Sequence, residues 1–159
     1  MMKFEVKQIG VVKRVEGKLY IEVELSLIPA LKELDSFSHM NVLCWFHKSD
    51  FEEAREVLEV PSPYKSSPEV MGIFATRSPI RPNPIALTTV EILNIEWQSG
   101  RIEIPYIDAD EGTPILDLKP YTPSLDRVES PRVPVWCEHW PKSLEESAYF
   151  DWENVFNFK

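Results

Sequence analysis

From Gly72 to Ile85 the chain reads Gly-Ile-Phe-Ala-Thr-Arg-Ser-Pro-Ile-Arg-Pro-Asn-Pro-Ile, a stretch in which donor-rich side chains coincide with backbone restraint. Arg77 and Arg81 offer guanidinium forks, while Thr76, Ser78 and Asn83 add hydroxyl and amide groups. Pro79, Pro82 and Pro84 fix φ at about −65° and deny the loop a helix or a strand ladder. A rigid, donor-rich loop between two strands suits an anionic or heteroaromatic ligand. A stiff crossover whose arginines pair with nearby carboxylates accounts for the same residues equally well.

A second group of candidates is acidic. Asp108, Asp110 and Glu111 follow a strand candidate ending at Tyr106, and carboxylates suit ribose hydroxyls as well as sulfonium or amino groups. A solvated acidic loop turning at Gly112 is the plainer interpretation. Asp117 and Lys119 interrupt the apolar Ile115, Leu116 and Leu118, so a structural ion pair between them is expected. His47 and Lys48 end an apolar run, from which an imidazole can project at a rim. His39 could anchor a turn, and His139 is expected on the surface. Cys44 and Cys137 lie far apart, and neither belongs to a Cys-x-x-Cys pair, so reduced core thiols are expected and no metal is implied.

These groups need a scaffold, and the hydropathy pattern supplies one made mostly of strands. Phe4–Val15 and Leu19–Leu25 flank Glu16-Gly17-Lys18 as a hairpin, with Leu19, Ile21, Val23 and Leu25 alternating against Tyr20, Glu22 and Glu24. A helical turn is expected over Pro29–Leu34, and a strand buried on both faces over Met40–Phe46. Ser49 to Glu52 has capping-box spacing for a helix carrying Phe51, Ala54 and Leu58. Pro61, Pro63 and Pro68 force a loop, and strands follow at Val70–Phe74, Ile85–Trp97 and Arg101–Tyr106, the last two joined at Gln98-Ser99-Gly100. Short strands without β-α alternation predict a mainly β fold, a small, mostly antiparallel β-barrel with a few short helices. Residues 1–136 are expected to form that domain and residues 137–159 a helical tail packed on it, with a helix starting at Ser143-Leu144-Glu145-Glu146.

The chain has 159 residues, enough for one core, with 43% hydrophobic and 27% charged residues and no apolar run of the ~20 residues a membrane helix needs. The amino terminus has no signal-like apolar segment, so a soluble cytoplasmic protein is expected. Net charge is −9, with 17 Lys plus Arg against 26 Asp plus Glu, which disfavours general coating of nucleic acid. The distribution is uneven. Gly72–Pro84 carries Arg77 and Arg81 and no acid, whereas Glu138–Glu153 is acidic apart from Lys142, so a basic mouth on an acidic body remains open.

The Gly72–Ile85 stretch resembles the signature of the TsaA-like (TrmO-like) family. Two further segments agree, in the family's order: Leu34-Asp35-Ser36-Phe37-Ser38-His39 through Trp45-Phe46-His47, and Asp110-Glu111-Gly112-Thr113-Pro114-Ile115-Leu116-Asp117-Leu118-Lys119-Pro120-Tyr121-Thr122-Pro123. The resemblance implies a β-barrel homodimer that uses S-adenosyl-L-methionine to methylate a tRNA substrate, at N6 of threonylcarbamoyladenosine in the anticodon loop. It also implies cofactor contacts at His47, Lys48, Arg77, Leu87, Ile107, Asp108, Ala109 and Asp110, with Arg77 and Arg81 as the candidate catalytic residues. The chain has 5 glycines and no Gly-x-Gly, so a Rossmann-type cradle is not expected. It departs from the family in lacking a Pro-Arg-Gln-Pro-Gly stretch before the second strand. A sensor that binds the cofactor without turnover, or a methyltransferase for another nucleoside or small molecule, remains an alternative.

Overall fold

The computed structural model describes residues 2–157. Among the described residues nine strands form: β1 (Gly10–Val15), β2 (Lys18–Val23), β3 (His39–Trp45), β4 (Glu59–Pro61), β5 (Val70–Gly72), β6 (Ile85–Glu91), β7 (Asn94–Glu96), β8 (Arg101–Ile104) and β9 (Pro114–Pro120). β4 and β5 pair with each other, and the rest make one antiparallel sheet in the order β6-β3-β9-β1-β2-β8-β7.

The expected closed barrel does not form, because no ladder joins β6 to β7 at the two ends of that order. Yet only Ile92 and Leu93 separate these strands along the chain, so the sheet must curl until its edges meet at that corner. There the Ile92 amide donates to the Ser38 carbonyl (2.8 Å) and the Leu93 amide to the Glu103 carbonyl (2.9 Å), one bond towards each edge. The strand expected over Ile85–Trp97 is therefore broken in two, since one segment pairs with β3 and the next with β8.

The concave face holds the core. Val12, Ile21, Met40, Val42, Cys44, Ile102 and Ile115 are fully buried there, with Val90, Ile95 and Ile104 beside them. β3 is buried on one face, not two: Met40, Val42 and Cys44 point inward, while Asn41, Leu43 and Trp45 are half-buried on the other side. The β1–β2 hairpin is tight, its turn made by Glu16 (φ 51°) and Gly17 (φ 82°), the left-handed pair that a two-residue hairpin loop demands. Tyr20 is buried against the sequence pattern, under the Arg101 guanidinium 5.9 Å from its ring, and Leu25 is exposed. β1 starts only at Gly10, where a Cβ would run into the Glu22 carbonyl of the paired strand.

Helices are shorter than the sequence suggests. Pro29 lies inside a 3-10 segment at Leu25–Leu31, and the helix expected after Ser49 shrinks to α1 (Glu52–Arg55). Its capping box fails because Phe51, not Ser49, precedes the first turn, and Ser49 instead closes a 3-10 turn with the Phe46 carbonyl. Beyond α2 (Pro123–Asp126), α3 (Leu144–Ser147) begins at the expected Ser143, whose hydroxyl accepts from the Glu146 amide. Trp136, Trp140, Phe150, Trp152 and Phe156 from the tail gather with Tyr64 from the proline loop, ring centroids 4.9–6.1 Å apart. Cys44 and Cys137 are free and buried, and Asp117 pairs with Lys119 at 2.7 Å.

Candidate active site

The Gly72–Ile85 loop is shaped by bonds its own residues make. A 3-10 turn over Ile73–Ala75 plants Ile73 in the interior, and buried Thr76 locks the turn by donating to the Ile73 carbonyl (2.8 Å) and accepting from the Ser78 amide (3.2 Å). Buried Pro84 gives its carbonyl to the Phe46 amide (2.7 Å), and the Ile85 amide reaches back to the Asn83 carbonyl (2.7 Å). The loop thus stands as a rigid wall beside β6.

The ladder fixes what β6 presents to that wall. Bonds from Phe46 to Pro84 and from Ile92 to Ser38 set the alternation of the β3–β6 pairing, in which Leu43 faces Leu87 at a non-bonded position. Leu87 therefore turns its amide and carbonyl to the open edge. The Arg77 guanidinium donates to that carbonyl at 3.1 Å. Arg81 donates to the Thr76 and Ser78 carbonyls, each at 3.4 Å. Among the described residues neither arginine makes an ion pair, so the carboxylate partners of the plain crossover interpretation are not there.

A cavity of about 600 Å³ opens between loop and edge strand. Arg77, Arg81, Leu87 and Asp108 all line it, joined by Phe46, Phe74, Asn83 and Ile85. The volume lies within the range typical of small-molecule sites. Guanidinium donors, a carboxylate and apolar side chains around one space suit S-adenosylmethionine, which carries a carboxylate, a cationic sulfonium and a purine.

The remaining sequence candidates lie apart from this lining. Lys48 pairs with Asp110 at 2.9 Å, both side chains largely exposed. The Asp110 carboxyl is held below its usual range, first by the Lys48 hydrogen bond and charge, then by His47 and Arg14. Ile107 is a core residue at 2% exposure and can offer a ligand only its backbone, while Ala109 is partly buried against the core. His39 bonds Ser38 and sits edge-on to Tyr121, and His139 lies near Phe150.

Sequence reasoning missed a clamp behind the loop. The Arg55 Nε donates to Asp50 (2.5 Å), its Nη1 to the Pro82 carbonyl (3.2 Å), and its guanidinium lies 5.4 Å from the centre of the Trp45 ring. Trp45 Nε1 donates to the other Asp50 oxygen at 3.0 Å. The Arg55 bond, and secondarily that from Trp45, lowers the Asp50 pKa. A spacing of five residues from Trp45 to Asp50 and five more to Arg55 matches no helix or strand period, so no pattern announced it.

Residues 3–127 match the family described as the tRNA-methyltransferase O N-terminal domain. The chain belongs to that family. A probable S-adenosyl-L-methionine-binding protein of Methanocaldococcus jannaschii is 39% identical over 123 residues, covering 77% of this chain and 96% of the relative. The tRNA (adenine(37)-N6)-methyltransferase of Escherichia coli is 35% identical over 129 residues, 79% of this chain and 54% of its own. The crystal structure of TrmO from Pseudomonas aeruginosa superposes with a TM-score of 0.65 at 28% identity, covering 85% of this chain and 62% of that one. Matched to these two longer relatives, the chain spans a little over half their length. Among the described residues no helix is long and apolar enough to cross a membrane, and no cluster of His, Cys, Asp and Glu is arranged to hold a metal ion.

Proposed function

We propose that this chain is an S-adenosylmethionine-dependent methyltransferase acting on N6 of threonylcarbamoyladenosine in the tRNA anticodon loop, and so works in the cytoplasm. The observation that carries the reading is the cavity, lined by Asp108, an open strand edge and two guanidiniums that make no ion pair among the described residues. Bound there, S-adenosylmethionine supplies an electrophilic methyl carbon. The chain's part is alignment, because a displacement needs the acceptor nitrogen and the methyl carbon held in line and needs no covalent residue.

Arg77, Arg81, Leu87 and Asp108 hold the cofactor in this reading, with the backbone of Ile107 and Ala109 and the Lys48–Asp110 pair at its margin. The acceptor nitrogen, conjugated to a carbamoyl group, is a weak nucleophile until it loses its proton. Arg77 or Arg81 offsets the negative charge that develops there, and a carboxylate takes the proton, Asp108 being the one that lines the cavity; His47, outside the lining, is the more remote candidate. A homodimer belongs to the same reading, with exposed apolar side chains of the carboxy-terminal third such as Val135 and Tyr149 as material for burial.

A second reading, a sensor that binds the cofactor without turnover, draws on one feature. The chain lacks the Pro-Arg-Gln-Pro-Gly stretch that the family resemblance leads one to expect before the second strand, and passes from β1 to β2 through the two-residue Glu16-Gly17 turn. Radiolabelled methyl transfer to bulk tRNA, followed by nucleoside mass spectrometry, decides. Label in N6-methylated threonylcarbamoyladenosine supports methylation, label in another nucleoside overturns the substrate, and tight cofactor binding without label supports the sensor.

A further inference from the structure

Phe74 stands out because nothing in the fold needs it. Its neighbour Ile73 is 1% exposed and anchors the 3-10 turn, while Phe74 is 77% exposed on the cavity rim. The turn is locked by Thr76, so the ring cannot exchange places with Ile73. Arg81, tethered by its two backbone carbonyls, places its guanidinium 6.0 Å from the centre of the Phe74 ring and leaves most of that ring open.

We infer that Phe74 and Arg81 form a stacking platform for an unstacked nucleobase of a single-stranded RNA loop. This rests on the RNA-methylating reading and adds to it the surface that receives the base. An aromatic face beside a guanidinium is the pairing that single-stranded nucleic acid uses, because each base offers a π-face and each linkage a phosphate. Charge favours that occupant over an apolar protein segment. In a chain of net charge −9, Gly72–Pro84 carries two arginines and no acid, so the rim of this loop is a local cationic site. A purine to be methylated at its exocyclic nitrogen must leave its stack to enter a cavity, and a ring at the mouth compensates for the stacking lost.

The test uses the full chain and an anticodon stem-loop RNA with 2-aminopurine at the target adenosine. Stacking on Phe74 quenches the fluorescence of the unstacked base. In Phe74→Ala the quench disappears and the RNA dissociation constant rises roughly 5- to 150-fold, the range for losing one base–aromatic stack. S-adenosylmethionine affinity, from calorimetry, changes far less. Phe74→Trp retains the quench and the affinity, whereas Phe74→Leu does not, because an aliphatic side chain buries area without a π-face. Full rescue by Phe74→Leu, or loss of RNA binding in Phe74→Ala that coincides with dissociation of an oligomer in light scattering, overturns the platform. If the wild-type chain methylates tRNA and Phe74→Ala does so with unchanged RNA affinity, the platform fails alone. If the wild type quenches the probe but transfers no methyl group, methylation fails and the platform stands.

Discussion

Replacing Arg77 by alanine separates a cofactor-binding role from a structural one, because the structure sets different magnitudes for each. Arg77 is exposed, and its hydrogen bond goes to the Leu87 carbonyl at 3.1 Å, on an open edge where water can take its place. Surface changes of this kind shift stability by about 0.5 kcal/mol or less, so the melting temperature of Arg77→Ala should fall by no more than about 2 °C. Contact with a charged group of S-adenosylmethionine is worth more, about 1.5–3 kcal/mol, which is roughly a 10- to 150-fold rise in dissociation constant. Arg77→Lys should recover little, since an ammonium cannot both reach Leu87 and present a planar fork to the ligand. Calorimetric titration with S-adenosylmethionine, run beside thermal unfolding, reads both quantities. Unchanged cofactor affinity per folded molecule together with a clearly lowered melting temperature refutes the binding role and makes Arg77 a strut for β6.

Other consequences follow from the same geometry. Asp50→Asn should cost roughly 1 kcal/mol, or about 2–4 °C, by weakening the Trp45–Asp50–Arg55 clamp. Because the Asp50 pKa is lowered in the fold, this difference should be constant from pH 8 to 5 and disappear only as pH falls through that lowered value; a difference that vanishes near neutrality counts against the clamp. Cys44, fully buried, has its thiol pKa pushed up to about 11, and burial raises that of Cys137 too, so the native chain should resist alkylation at pH 8 while the denatured chain labels at both sites. Light scattering at micromolar concentration should give a dimer, and a monomer there counts against the homodimer.

Local chemistry was legible where it decided local structure. The hairpin connection at Glu16-Gly17-Lys18, narrowed in the fold to Glu16-Gly17, the helix start at Ser143 and the Asp117–Lys119 pair are legible because each depends on residues a few positions apart. The helix expected after Ser49 is shortened where off-period and distant partners take over: Asp50 is held by Trp45 and Arg55, each five residues away, and Arg55 reaches the Pro82 carbonyl. In the site, the arginines and Asp108 could be named from residue type and family resemblance, and the structure brings them to one cavity. Phe74 could not be singled out, since hydropathy alone cannot tell which of Ile73 and Phe74 a 3-10 turn will bury.

The failed barrel and the cavity are one fact seen from two sides. A barrel closed through β6 would pair the outward amide and carbonyl of Leu87 with another strand. The Gly72–Ile85 loop would then have no edge to stand against. With the sheet left open, that carbonyl is available to Arg77, and the rigid loop is held at a distance that leaves room for a ligand rather than for a strand. An edge left open in this way invites unwanted pairing unless something covers it. Here one neighbour is a loop stiffened by Pro79, Pro82 and Pro84, which cannot itself add a ladder, so the edge is partly shielded while its polar groups stay within reach of a bound molecule. The sequence motif and the departure from closure therefore meet at one feature, a backbone edge left unpaired with the proline-stiffened loop and the cavity beside it.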